Sequence, residues 1–271
     1  MNNFRKRIIT GTIFIAAILG SIWWGPLSFQ VLFFIAALCS LQEFYKLVKS
    51  DKLKPNFVLG FLIGAISYLL ISISAFTDEH LNKLVLLAPL IMLIFIAELY
   101  RKKENPFGNI GYTILGIFYI IIPFALLSQM AAHQGNYDRG ILFGYFFLVW
   151  SSDSFAYVFG NLFGKHKLFE RISPKKSWEG VIGGGISTLG IAYLLSIYQP
   201  QIGLTDWLML AIIIVITGIL GDLIESLLKR SLGVKDSGTI LPGHGGFLDR
   251  FDALFLSVPF VWAYISYFVN N

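Results

Sequence analysis

The sequence predicts an all-α, polytopic integral membrane protein of about nine transmembrane helices, with its N-terminus in the cytoplasm. Three observations carry that prediction. First, 56% of the 271 residues are hydrophobic and only 14% are charged, with a mean hydropathy of +0.70, whereas soluble domains are roughly a quarter charged. Second, the apolar residues gather in runs of about 17–25, long enough to cross a hydrocarbon core of about 30 Å as helices. Third, the basic residues are distributed unevenly among the segments between those runs, as the positive-inside rule requires.

The runs cover 8–24, 26–46, 56–77, 83–100, 109–131, 139–160, 178–198, 206–228 and 252–269. Each is expected to be helical, because lipid offers no partner for an unpaired backbone group. The first follows Arg5, Lys6 and Arg7, as a secretory signal would. A second run follows almost at once and no small-residue cleavage site intervenes, so a retained anchor is expected. With the N-terminus inside and nine crossings, all of the 21 basic residues except Lys83 and Arg139 fall in cytoplasmic segments, and the C-terminus lies outside. Topology alone accounts for the first three basic segments. The net charge of +5 therefore calls for no nucleic-acid partner. The single Cys39 excludes an intrachain disulfide and counts against a thiolate metal site.

Two regions follow from the distribution of polar residues. Residues 1–138 read as ordinary transmembrane helices with few polar groups. Among these, Glu43 and Glu98 read as interfacial partners for Lys46 and Arg101. Residues 139–271 read as a catalytic transmembrane region with two polar cytoplasmic segments, 161–177 and 229–251. No internal repeat and no soluble domain appear, so any chemistry sits within or just below the membrane.

The first polar segment is approached through Ser151-Ser152-Asp153-Ser154 and contains Gly164-Lys165-His166-Lys167 and Ser173-Pro174-Lys175-Lys176-Ser177. Asp153, at the end of an apolar run, is expected to face the bundle interior or a water-filled cavity. Pro174 suits the first turn of the next helix with Ser173 as its N-cap, which would set Lys175 and Lys176 near a positive helix end that favours phosphate. A purely topological role for these lysines is the competing reading.

The second segment opens with Gly221-Asp222-Leu223-Ile224-Glu225-Ser226 and Lys229-Arg230. On a helix, Asp222, Glu225, Ser226 and Lys229 share one face, which cannot point at lipid. After Lys235-Asp236-Ser237-Gly238 comes Pro242-Gly243-His244-Gly245-Gly246, then Asp249-Arg250-Phe251-Asp252, where Asp249 and Asp252 repeat the three-residue step. Carboxylates and hydroxyls without paired Cys or His suit a hard cation such as Mg2+. Lys229, Arg230, Lys235 and Arg250 could neutralise phosphate oxygens, and the glycines could let backbone N–H groups approach a ligand. A structural ion-pair network would also use Asp222, Glu225 and Lys229, but it needs neither the glycine loop nor the surplus cations. His244 on its own is as readily structural as functional.

The stretch from Ser226 through Leu228-Lys229-Arg230, Lys235-Asp236, Gly238, Pro242 and His244-Gly245-Gly246 to Asp249-Arg250 and Asp252 resembles the signature of the phosphatidate cytidylyltransferase (CDP-diacylglycerol synthase) family. Asp153-Ser154, Gly164-Lys165-His166, the run Ser173 to Gly180 and Glu43-Phe44-Tyr45-Lys46 are similar to that family as well. The resemblance implies Mg2+-dependent transfer of the cytidylyl group of CTP to phosphatidate, giving CDP-diacylglycerol and diphosphate. It also implies a homodimer in the inner (cytoplasmic) membrane with its active site facing the cytoplasm. Asp222 and Asp249 match the family's metal-binding pair, with a second cation such as K+ sharing the site. Catalytic side chains are then expected at Asp222, Asp249, Lys229, Arg230 and Arg250. Substrate binding is expected from Lys165, His166, Ser173, Lys175, Lys176, Ser226, Lys235, Asp236, His244, Gly245 and Gly246.

Other readings are a CTP-dependent lipid kinase, which would transfer the γ-phosphate to an alcohol, and a cation-coupled transporter. The transporter would place its acids at the membrane midplane, whereas here they gather at helix ends. The Asp-x2-Asp-Gly-x2-Ala-Arg pattern of CDP-alcohol phosphotransferases is absent.

Overall fold

The computed structural model describes residues 3–76, 84–133, 136–238 and 245–269. Each of the nine apolar runs coincides with one long helix among these residues. They are α1 (Asn3–Trp24), α2 (Pro26–Val48), α3 (Phe57–Ser74), α4 (Leu87–Arg101) and α5 (Pro106–Ala131), then α6 (Arg139–Phe163), α7 (Trp178–Tyr198), α8 (Leu204–Ser231) and α9 (Asp252–Val269). Seven of them, α2, α3 and α5 to α9, are long and apolar enough to cross a membrane. The other two are shorter as apolar helices: Ile8–Trp24 within α1, and the 15 residues of α4.

Local sequence explains where the helices begin. Pro26 and Pro106 occupy the first turns of α2 and α5, where a missing N–H costs nothing. Asn56, Asn105, Asp138 and Ser177 cap α3, α5, α6 and α7 by accepting first-turn amides on their side chains. Pro123 lies inside α5, and the helix widens to a π turn over Ile117–Ile121 just before it, absorbing the ring's clash with the preceding turn.

The chain forms two compact units: Met1–Tyr137 with Asp236–Phe251, and Asp138–Lys235 with Asp252–Asn271. In the first unit, α1 to α5 enclose an aromatic core in which the rings of Phe33, Phe124 and Phe251 pack tilted or edge-on, with centroids 4.9–6.0 Å apart. At one end of this unit the tail of α2 meets the start of α5, where Tyr45 Oη donates to the Thr113 carbonyl at 2.7 Å. The short antiparallel strands β1 (Ala132–His133) and β2 (Asn136–Tyr137) follow α5. Near them Tyr137 Oη donates to the Ile22 carbonyl at 3.2 Å, at the opposite end of the unit.

In the second unit α6, α7, α8 and α9 run alternately up and down. The end of α7 meets the start of α8, where Trp207 Nε1 donates to the Gln199 carbonyl at 3.4 Å, and Tyr264 on α9 donates to Asp206 at 2.8 Å. The closest packing is between α6 and α7. A Cβ on Gly184 would stand 3.0 Å from the Ser152 carbonyl oxygen and the Ala156 nitrogen, and one on Gly180 would stand 2.7 Å from the Ala156 carbonyl oxygen. Small residues let backbones approach where lipid supplies no hydrophobic drive between helices.

Residues 167–177 depart from the expected start of α7. They form an antiparallel hairpin, β3 (Lys167–Phe169) with β4 (Ser173–Ser177), and the helix starts only at Trp178. Ser173-Pro174 is therefore a strand start and not an N-cap with its first turn. The cap is Ser177, whose hydroxyl accepts Gly180 N–H at 3.2 Å. Both serines satisfy the local rule; the hairpin pairing decides between them.

Candidate active site

The polar face expected on α8 exists. Ser226 Oγ donates to Asp222 Oδ1 at 3.2 Å, and Lys229 Nζ lies 3.1 Å from Glu225 Oε1. One helical turn separates the members of each pair, so an apolar helix carries a polar stripe along its last three turns. From β4, Lys176 reaches the other oxygen of Asp222, Nζ to Oδ2 at 2.5 Å. Asp252, at the first turn of α9, feels the charges of Asp222, Glu225 and Asp153. Its Oδ1 accepts Ala253 N–H at 2.7 Å. The end of α8 and the start of α9 thus bring Asp222, Glu225 and Asp252 to one end of the second unit, with Lys176 on Asp222 and Lys229 on Glu225.

The two cations differ in kind. Lys229 is 8% exposed and its partner Glu225 is fully buried, so this pair is internal. A pair of this kind belongs to the structural ion-pair reading of the stripe, in which Asp222 was the third member. The Lys176–Asp222 pair is about a third open to solvent on each side, with side-chain exposures of 26% and 33%. Arg230, Lys235 and Lys175 are exposed beside it in sequence, and Arg230 donates to the Val234 carbonyl at 3.1 Å.

The Gly164-Lys165-His166 turn is organised by Glu179, in the first turn of α7. The Glu179 carboxylate accepts the backbone N–H of Lys165 at 3.1 Å and of His166 at 3.2 Å, and it meets His166 Nδ1 at 2.6 Å. His166 is thereby engaged, while Lys165 remains exposed.

The first unit holds Asp249, in a 3-10 turn over Leu248–Arg250. Its Oδ2 accepts three hydrogen bonds, from Ser237 N–H at 3.0 Å, Ser237 Oγ at 2.9 Å and Gly246 N–H at 2.9 Å. Beneath this turn lies Glu43, 3% exposed near the end of α2. Its Oε2 accepts Leu248 N–H at 2.9 Å and lies 3.2 Å from Ser237 Oγ, whose single proton it shares with Asp249. Glu43 is thus no interfacial partner of Lys46. It is a buried clasp on the loop that carries Asp249.

The clasp also explains a glycine. A Cβ on Gly246 would collide with Glu43 Oε2 and Ser237 Oγ, so the residue is small where Glu43 packs against it. Gly245 adopts φ +82, a conformation that suits glycine. Asp236 and Arg250 are exposed. Pro242, Gly243 and His244 lie outside the described residues.

Sequence reading assigned no separate role to Asp252 or Glu179, and gave Glu43 only an interfacial one. The three-residue step from Asp249 hints at Asp252, and a Glu within an apolar run hints at Glu43. Only the fold shows what each one holds.

The donors at both places are carboxylate and hydroxyl oxygens, the set a hard divalent cation prefers. Among the described residues no three His, Cys, Asp or Glu side chains converge closely enough to hold a metal by themselves.

Apolar helices that carry carboxylates and cations at their ends, with a basic hairpin beside them, define a membrane-embedded enzyme of phosphate chemistry. Known proteins narrow the class. The sequence matches the cytidylyltransferase family over residues 5–268. It is 36% identical to phosphatidate cytidylyltransferase of Staphylococcus saprophyticus, over 94% of this chain and 96% of that protein. It is 31% identical to phosphatidate cytidylyltransferase of Bacillus subtilis, over 99% of this chain and all of the relative. A third protein of the same name, from Haemophilus influenzae, is 30% identical over 98% of this chain and 99% of its own length. The chain belongs to the cytidylyltransferase family and is a nucleotidyltransferase.

Proposed function

We propose that the chain transfers the cytidylyl group of CTP to phosphatidate, forming CDP-diacylglycerol and releasing diphosphate, with Mg2+ at Asp222 and Asp249. The substrates are those in the names of relatives that align along the whole chain. The observation that carries the chemistry is the polar stripe of α8, with Lys176 on Asp222 and Asp252 close by. A lipid-facing helix has no use for such a stripe.

The nucleophile is the phosphate of phosphatidate, attacking the α-phosphorus of CTP in line while diphosphate departs. A phosphate monoester has a second pKa of about 6, so a dianion is available at neutral pH and no strong general base is needed. Protein groups therefore contribute position and charge neutralisation. The metal, when bound, polarises the phosphate under attack. Lys176, part-exposed on Asp222, can turn to a phosphate oxygen. Lys165, Lys175, Arg230, Lys235 and Arg250 are exposed cations able to hold the diphosphate and the lipid headgroup. Lys229 holds Glu225 in place through their 3.1 Å pair. A second cation such as K+ would be a further occupant of the same anionic surroundings. The hairpin and the acidic helix ends face the cytoplasm in this proposal, as the basic loops direct.

The test is purified protein in detergent with phosphatidate, Mg2+ and CTP labelled in the cytosine ring. Label should enter the lipid fraction, and unlabelled diphosphate should appear in equal amount. Label confined to CDP, with phosphate passing to a lipid alcohol, would make the protein a lipid kinase instead.

A further inference from the structure

The two basic loops of the first unit need only topology to explain them in sequence, yet the fold joins them around a cavity. The loop 49–56 and the loop 101–105 are tied by a buried polar knot. Asn109, 1% exposed, accepts Lys54 N–H at 2.7 Å and donates to Glu98 Oε1 at 2.7 Å. Arg101 bridges Glu98 Oε2 at 2.7 Å and the Lys54 carbonyl at 3.0 Å. The reversal that carries the chain on to Lys103 occurs at Lys102, a non-glycine residue at φ 50.

Beside the knot is a cavity of about 450 Å3. Its cationic side is formed by Lys49, Lys54, Arg101 and Lys103. Its apolar side is formed by Tyr45, Pro55, Phe57 and Val58. The carboxylates of these loops, Asp51 and Glu104, line a neighbouring cavity of about 220 Å3, with Lys54 and Lys103 standing between the two spaces and lining both. The positive-inside rule asks only that lysines lie on one side of the membrane. It does not ask two loops to be fastened together so that four cations and an apolar wall share one space.

The start of α3 adds to the preference for an anion through the helix dipole, whose positive end lies toward the loop. Phe57 and Val58, on that first turn, are 40% and 68% exposed. The helix they begin is apolar enough to cross a membrane, so they meet acyl chains. A ligand here has phosphate among ammonium groups and hydrocarbon along Phe57 and Val58.

We propose that this cavity binds the headgroup phosphate of an anionic phospholipid from the leaflet at this end of the unit. It is built from none of the residues assigned to cytidylyl transfer, so its fate is independent of that reading.

The test is native mass spectrometry of the full chain in mild detergent, titrated with phosphatidylglycerol or with phosphatidylcholine of the same acyl chains. The wild type should retain one phosphatidylglycerol at about tenfold lower concentration than phosphatidylcholine. K54Q/K103Q should weaken phosphatidylglycerol about tenfold or more and leave phosphatidylcholine unchanged, and K54R/K103R should restore it. Should the glutamine pair fold poorly, V58E places an opposing charge at the exposed mouth and should have the same effect. Undiminished phosphatidylglycerol retention by both variants would overturn the proposal. So would displacement of the lipid by soluble glycerol phosphate at comparable concentration, which would make the cavity a site for a free phosphate compound.

Discussion

Asp222 carries a lysine on one oxygen and a serine hydroxyl on the other, so an asparagine in its place keeps the shape and loses only the charge. Asp222→Asn should reduce kcat by about a hundredfold or more, the scale of losing a charge aimed at a reacting phosphate. The melting temperature should change little. Asp249→Asn should behave alike, since its amide oxygen can still accept from Ser237 and Gly246. Near-normal turnover in either purified variant would remove it from the chemistry. Glu43 acts differently. Glu43→Ala leaves the Leu248 N–H without its acceptor and takes one acceptor from Ser237, a loss of about 1–3 kcal/mol. Hydrogen exchange at Leu248 should accelerate correspondingly, and unchanged protection there would disprove the clasp. The stripe of α8 was legible in sequence because its members are three or four residues apart. Glu43 was not, because its partners lie 194 and 205 residues away, a separation on which local pattern is silent.

At the scale of elements, the apolar runs located the helices because an unpaired backbone in lipid leaves no alternative. Polar linkers are less constrained. Ser173-Pro174 satisfies the rule for a helix start and also that for the first residue of an edge strand. Pairing of Lys167 with Ser177 across the hairpin settles which rule applies. The glycines of α7 were visible in sequence, yet their partners were not. Gly180 and Gly184 face Ser152, Ala156 and Gly160 on α6, and this contact fixes where α6 and the hairpin stand relative to each other. Gly184→Leu should force the two backbones apart, at a cost of about 1–3 kcal/mol or more from overpacking. Gly190→Leu on the same helix is the control, because a Cβ there meets nothing within 4 Å. Thermal unfolding in detergent should separate the two variants; equal melting temperatures would mean that the close approach contributes nothing.

For the whole molecule, the positive-inside rule is the ground on which each unit's basic loops are proposed to face the cytoplasm. The folded units add a check, since within each the basic helix ends lie together. In the second unit, the hairpin after α6 and the polar end of α8 meet through Lys176 and Asp222. The turn between α7 and α8 lies at the other end, where Trp207 meets Gln199. α7, with 21 residues, is about 31 Å long at 1.5 Å per residue, enough to set its two ends on opposite sides of the hydrocarbon core. Single cysteines test this directly once Cys39 is replaced by serine. Glu170→Cys sits in the exposed hairpin and Gln201→Cys in the exposed opposite turn. In intact cells, a membrane-impermeant maleimide should label the cysteine at position 201 and leave that at 170 untouched until the membrane is opened. The reverse pattern would place the hairpin, Asp222 and their cations outside, away from any cytoplasmic nucleotide. Labelling of both positions in intact cells would mean that α7 does not cross at all.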